Sequence, residues 1–239
     1  MTRGVPFVTV NVNKVCIPWK ERSEKMPDLT QFILNLSVRL PAILAALTFH
    51  EYAHGWVADK RGDPTARLSG RLTFNPLAHL DPVGTLALIF TPVGWAKPVP
   101  VNFDNLRHPR RDMILVAAAG PCANLILASV CALSLRLFDG TAGVGESTWL
   151  LPWFITPVHH MLHWSVLINV ALAIFNLIPL LPLDGGRVLT GLLPPRQAAS
   201  YGRLERYGFV ILVLLMFSGA VDRLIWPPIA LVAGLLLGV

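Results

Sequence analysis

The chain has 239 residues, of which 54% are hydrophobic and 14% charged, with a net charge of +6 and a mean hydropathy of +0.56. Soluble domains carry about 25% charged residues, so this composition excludes an ordinary soluble enzyme. The basic balance does not indicate nucleic acid either, because the Lys and Arg residues sit at the ends of apolar runs, where cytoplasmic loops of membrane proteins carry them.

Residues 1–28 are charged and lack the long apolar core of a secretory signal. They are read as an N-terminal extension without fixed structure, apart from a strand-like alternation at Phe7–Val12. Residues 29–239 show no internal repeat and are read as a single integral-membrane domain. A first helix is predicted from Leu29 to Asp59. Arg39 and Pro41 interrupt its apolar stretch, then His50-Glu51-Tyr52-Ala53-His54, and Gly62-Asp63-Pro64 ends it. Residues 65–76 and 97–102 look extended, punctuated by Gly70, Asn75, Pro76, Pro98 and Pro100. Between them Pro82–Ala96 is apolar, but at 15 residues it is too short for a simple span.

Met113–Leu135 and Trp164–Leu183 carry no charge over 23 and 20 residues. Either can cross about 30 Å of hydrocarbon as a helix. The first is predicted to begin at Arg110 and end near Leu137. An acidic loop at 138–152 follows, then a helix from Trp153 to Ile178 that breaks at Pro179 and Pro182. Gly208–Val221 and Leu224–Val239 are predicted to form a helical hairpin turning at Asp222-Arg223. The sum is an all-α multi-pass membrane protein with about four to six membrane helices. The positive-inside rule puts the loops bearing Lys60, Arg61, Lys97, Arg107, Arg110, Arg111, Arg187 and Arg203 in the cytosol. The basic N-terminal extension falls on the other side in this arrangement. Cys16, Cys122 and Cys131 have neither metal-type spacing nor a disulfide framework.

The strongest chemical signal is His50-Glu51-Tyr52-Ala53-His54. Positions i and i+4 share one helix face, so both imidazoles can meet one Zn²⁺. Glu51, one position on, can act as general base on a water activated by the ion. Ionisable residues beside the apolar Leu40–Phe49 run would be costly at membrane depth, where such residues are functional by default. A catalytic zinc needs a third protein ligand and an open position. Asp184 is the candidate, because the proline-broken backbone before it should line a site. The alternative is an ordinary cap for the next helix. Asn176, eight residues earlier, could donate its amide to an oxyanion or satisfy the broken backbone.

Other polar residues carry less weight. Asp81 reads as a turn or cap residue. His159, His160 and His163 could bind a second metal, but interfacial histidines are the simpler reading. They sit some 20 residues from Asp184 on one helix, too far at about 1.5 Å per residue to share its ion. His108 lies in a basic loop and reads as solvated.

The chain resembles the site-2 protease family of intramembrane zinc metalloproteases. The resemblance rests on His50-Glu51-Tyr52-Ala53-His54, on Asn176-Leu-Ile-Pro-Leu-Leu-Pro-Leu-Asp184-Gly185-Gly186, and on Gly120-Pro121-Cys122-Ala123-Asn124, which matches that family's Gly-Pro-x-x-Asn element. It covers roughly residues 38–200. It implies one zinc per chain held by His50, His54 and Asp184, with Glu51 as catalytic base, Asn176 assisting the substrate carbonyl and Asn124 structural. It likens residues 65–103 to a small membrane-associated β-hairpin that pairs with unwound substrate by strand addition. It implies a multi-pass protein of the cell membrane, with the active site towards the cytoplasm and single-span membrane proteins as substrates. With no room for a PDZ or nucleotide-sensing domain, the chain is expected to be a minimal form. The rival readings are a prenyl-protein protease, which the Asp184-Gly185 element does not fit, a membrane metal transporter, and a non-catalytic membrane scaffold.

Overall fold

The computed structural model describes residues 29–90, 95–141 and 155–238. Its contacts divide the chain into two units, Met1–Ser37 and Val38–Val239. Of the first, the described residues 29–37 are helical and open α1 (Leu29–Arg61). The expected N-terminal extension at 1–28 lies outside the described residues. So does most of the expected acidic loop, although the helix before it continues to Thr141.

After α1 come the one-turn α2 (Thr65–Leu68) and α3 (Pro82–Phe90). The long α4 (Pro109–Thr141) and α5 (Thr156–Asn176) follow. Then come the short α6 (Asp184–Leu192) and α7 (Pro195–Gly202), α8 (Glu205–Phe217) and α9 (Ala220–Leu237). Among the described residues three helices are long and apolar enough to cross a membrane: Pro109–Phe138, Thr156–Asn176 and Ala220–Leu237. The sequence predicts four to six. The difference lies in α1, which is not among the three, and in α8, which at 13 residues is shorter than the about 20 that a span needs. The final hairpin turns at Ser218-Gly219, not at Asp222-Arg223. Gly219 takes the left-handed conformation (φ 70°) that suits glycine, and Asp222 falls in the first turn of α9, where the helix dipole favours an acid.

The centre of the helical unit is α4, which packs against α5, α6 and α9. It is apolar on both faces, for different reasons. Ile126, Val130, Leu133 and Leu137 are exposed at helical spacing and present hydrocarbon outward. The opposite face is built of small residues: Ala117, Gly120, Ala128 and Ala132 are buried there. Small residues let helix backbones approach closely without a hydrophobic driving force, and at Gly120 this face meets His50 and His54 of α1.

No strand forms between residues 65 and 103 among the described residues, where the sequence leads one to expect a hairpin. The one antiparallel pairing described there is an isolated bridge of Leu80 with Ala96, beside a bond from Lys97 N–H to the His79 carbonyl (2.9 Å). Prolines explain this. Pro76 and Pro82 open helical turns in which Leu77 N–H donates to Asn75 Oδ1 and Gly84 N–H to Asp81 Oδ1, so Asp81 is a cap as expected. Pro98 and Pro100 have no N–H to give a ladder. The extended piece at 97–102 is held instead by side chains. Arg71 donates to the Lys97 carbonyl (2.8 Å), and Asp63 accepts from Asn102 N–H (2.7 Å) and from the Asn105 amide (2.9 Å).

Asp63 is fully buried and also accepts from the Thr65 hydroxyl and N–H. Burial pushes its carboxyl up, but these donors outweigh that and hold it below its usual range. A depressed folded-state value means stability that is present above the unfolded value of about 3.9 and is lost as pH falls through the folded value. Asp63→Ala should therefore lower stability by about 1–3 kcal/mol at neutral pH. Thermal unfolding in detergent should show the intact chain losing stability below about pH 4 and the variant losing less.

Candidate metal centre

α1 brings His50 and His54 onto one face, one turn apart, against Gly120 of α4. α6 begins at Asp184, directly after the turn that follows α5. Gly185 and Gly186 let that helix start lie on the 177–181 backbone: a Cβ on Gly185 would strike the Leu177 carbonyl, and one on Gly186 would sit 2.6 Å from the Leu180 carbonyl carbon. The Asp184 side chain thereby reaches both imidazoles. Its Oδ2 lies 3.2 Å from His50 Nε2 and 3.3 Å from His54 Nε2, and the two Nε2 atoms are 3.1 Å apart. Asp184 is thus the first residue inside α6, not its cap, which is Leu183.

The far side of each ring decides what these atoms are. His54 Nδ1 lies 2.7 Å from the Val116 backbone carbonyl, which can only accept, so this nitrogen carries the hydrogen. His50 Nδ1 lies 2.6 Å from Asn124 Oδ1. The Asn124 amide is oriented by the Ala46 carbonyl, which accepts from its Nδ2 at 3.0 Å. With both hydrogens on Nδ1, both Nε2 lone pairs and Asp184 Oδ2 converge. The buried Oδ2 has no hydrogen-bond donor. Three acceptors at 3.1–3.3 Å repel unless they share a proton or a cation. A tetrahedral zinc at 2.0–2.1 Å from each ligand sets ligand separations of about 3.3–3.4 Å. The donor set and its spacing fit that ion.

Glu51 points to a different neighbour. Its Oε2 accepts from Val99 N–H at 2.9 Å, and one turn on, Gly55 packs against Val99 and Ala66. This face of α1 thus carries the extended 97–102 segment. Asn176 donates to the Leu172 carbonyl of its own helix at 2.9 Å. His79 is buried, with Nε2 against the Thr73 carbonyl. His159 and His160 are ring neighbours, 6.2 Å between centroids. The one group of three or more metal-ligating side chains found among the described residues is His50, His54 and Asp184.

The sequence reading missed the Val116 carbonyl and Asn169, and it named Gly120 and Asn124 as parts of one motif without linking either to a histidine. A signal existed for the two asparagines. Each interrupts an otherwise charge-free apolar run, where polar side chains are costly and tend to be functional.

The model of peptidase family M50 matches residues 39–219. The chain belongs to peptidase family M50. It is 38% identical over 185 residues to a Bacillus subtilis protein named "Putative zinc metalloprotease YwhC", covering 77% of this chain and 82% of that one. It is 29% identical over 189 residues to "Putative zinc metalloprotease Rip2" of Mycolicibacterium smegmatis (75% of this chain, 66% of that one). It is 30% identical over 198 residues to "Putative zinc metalloprotease sll0528" of Synechocystis (80% and 42%). No solved structure gives a significant match. This M50 protein is a zinc metalloendopeptidase of the site-2 protease family, and the transporter and prenyl-protease readings fall away.

Proposed function

We propose that this M50 peptidase hydrolyses peptide bonds in or near membrane-spanning segments, with one zinc held by His50, His54 and Asp184. The observation that carries this reading is the convergence of two fixed Nε2 lone pairs and an unpartnered carboxylate oxygen on one point. Zinc, when bound, supplies a Lewis acid that polarises a scissile carbonyl and makes water acidic enough to attack at neutral pH. Glu51 takes the proton of the attacking water and returns it to the leaving amine. Asn176 turns its amide from Leu172 towards the substrate carbonyl as charge develops there.

Substrate helices hide their carbonyls in hydrogen bonds, so a single-span substrate must unwind before it is cut. The extended segment at 97–102 supports a place for it to pair by strand addition. Side chains, not a neighbouring strand, hold that segment in place. The exposed apolar stripe on α4 supports contact with lipid. The basic residues around α1, α4 and α6 support a cell-membrane protein with its active site towards the cytoplasm. α1 and the α8–α9 hairpin would raise the number of spans above three.

Two measurements test the reading. Detergent-purified protein should contain about one zinc per chain. In Asp184→Asn the affinity loss should exceed the about 10–100-fold that outer-shell partners cost; unchanged affinity would move the third ligand elsewhere. In proteoliposomes the intact chain should cut a single-span substrate within its span. Cuts confined to soluble loops would overturn the intramembrane assignment and leave the metallopeptidase standing.

A further inference from the structure

We propose that Asn169 is a positioning residue for the metal centre, acting through Asn124 to fix which nitrogen of His50 faces the ion. This rests on the reading that His50 is a zinc ligand. Asn169 and Asn124 are both fully buried, on α5 and α4, and neither belongs to the group of converging ligands His50, His54 and Asp184. Asn169 Nδ2 donates to the Ser165 backbone carbonyl at 2.8 Å. Its Oδ1 accepts from Asn124 Nδ2 at 2.8 Å. The second Asn124 hydrogen goes to the Ala46 carbonyl, which leaves Asn124 Oδ1 to accept from His50 Nδ1, 2.6 Å away.

The direction of this chain is not free. An amide has nearly the same shape when its oxygen and nitrogen exchange places, so sterics alone would let Asn124 present either atom to His50. A flipped Asn124 would offer N–H to Nδ1, place the imidazole hydrogen on Nε2 and remove the lone pair that a metal needs. Two acceptors oppose the flip, the Ala46 carbonyl and Asn169 Oδ1. Asn169 is itself held by the Ser165 carbonyl, which cannot become a donor. A backbone group on α5 thus sets the tautomer of a ligand on α1. Outer-shell partners of this kind typically change metal affinity 10–100-fold.

The test is competition for zinc between a chromophoric chelator and the full-length, detergent-purified chain. Asn169→Leu removes the acceptor, and zinc should bind about 10–100-fold more weakly. Asn169→Asp keeps the acceptor facing Asn124, and zinc affinity should stay close to that of the intact chain. A merely structural role predicts the reverse order, because a buried unpaired carboxylate is harder to accommodate than a leucine. Should either variant fail to fold, Asn169→Thr and Asn169→Val decide. They share a shape, and only threonine has a hydroxyl that accepts from Asn124 and donates to Ser165, so valine alone should weaken zinc. Leucine equal to the intact chain, aspartate no better than leucine, or threonine no better than valine would overturn the proposal. His50→Ala serves as control. If it holds zinc as tightly as the intact chain, the ligand reading itself fails, and the role of Asn169 with it.

Discussion

Glu51→Gln is expected to keep zinc and to lower peptide hydrolysis by at least about 10²–10⁴-fold, the usual contribution of a positioned acid–base group. Glutamine is the informative substitution because of Val99. In the structure Glu51 Oε2 accepts the Val99 N–H at 2.9 Å. Pro98 and Pro100 have no N–H, so Val99 is the one backbone donor between Lys97 and Val101. The glutamine carbonyl can keep that bond and hold the extended segment in place, while its amide cannot take a proton from water. Glu51→Ala would remove both functions and confuse a loss of base with a loss of substrate pairing. Metal analysis and cleavage of a single-span substrate, run on the same preparation, make the check. Turnover near that of the intact chain would take Glu51 out of the chemistry. Loss of zinc together with turnover would make it a structural support of the centre.

Gly120→Ala is expected to empty the metal centre while leaving the helices folded. A Cβ built on Gly120 meets His54 Nε2 in hard contact and lies 2.7 Å from His50 Nε2 and 2.6 Å from His50 Cε1. The rings cannot retreat, since Asn124 backs His50 at 2.6 Å and the Val116 carbonyl backs His54 at 2.7 Å. Two effects oppose each other. Alanine is favoured over glycine in a helix by about 0.8–1.0 kcal/mol, whereas overpacking costs about 1–3 kcal/mol. Overall stability should therefore fall by no more than about 2 kcal/mol, and the strain should fall on the imidazoles. Zinc per chain should drop well below that of the intact protein, with the circular-dichroism spectrum unchanged. A Gly120→Ala protein carrying a full complement of zinc would mean that the two helices separate readily at this point.

Several parts of this protein follow from local spacing alone. A period of 3.6 residues puts His50 and His54 on one face whatever surrounds them, and charge-free runs announce the helices around Met113–Leu135 and Trp164–Asn176. Pro179 and Pro182 must end a helix, so a break before Asp184 was legible, as was Asp81 as a cap. Contacts between distant segments are set only when the chain is packed. The hydrogen bond that sets the His50 ring joins residues 74 apart, and the one behind it joins residues 45 apart. No pattern in either helix specifies which residue of the other it will meet. The 65–103 region shows the same limit from the other side. Its extended-looking residues carry the composition of a hairpin, but prolines withhold two of the ladder's donors, and carboxylates from α1 and the turn after it take up the N–H groups of Val99 and Asn102. Gly120 is the sharpest case. In sequence it is one small residue in an apolar helix; packed against α1, it is the space in which two imidazoles and a carboxylate come together.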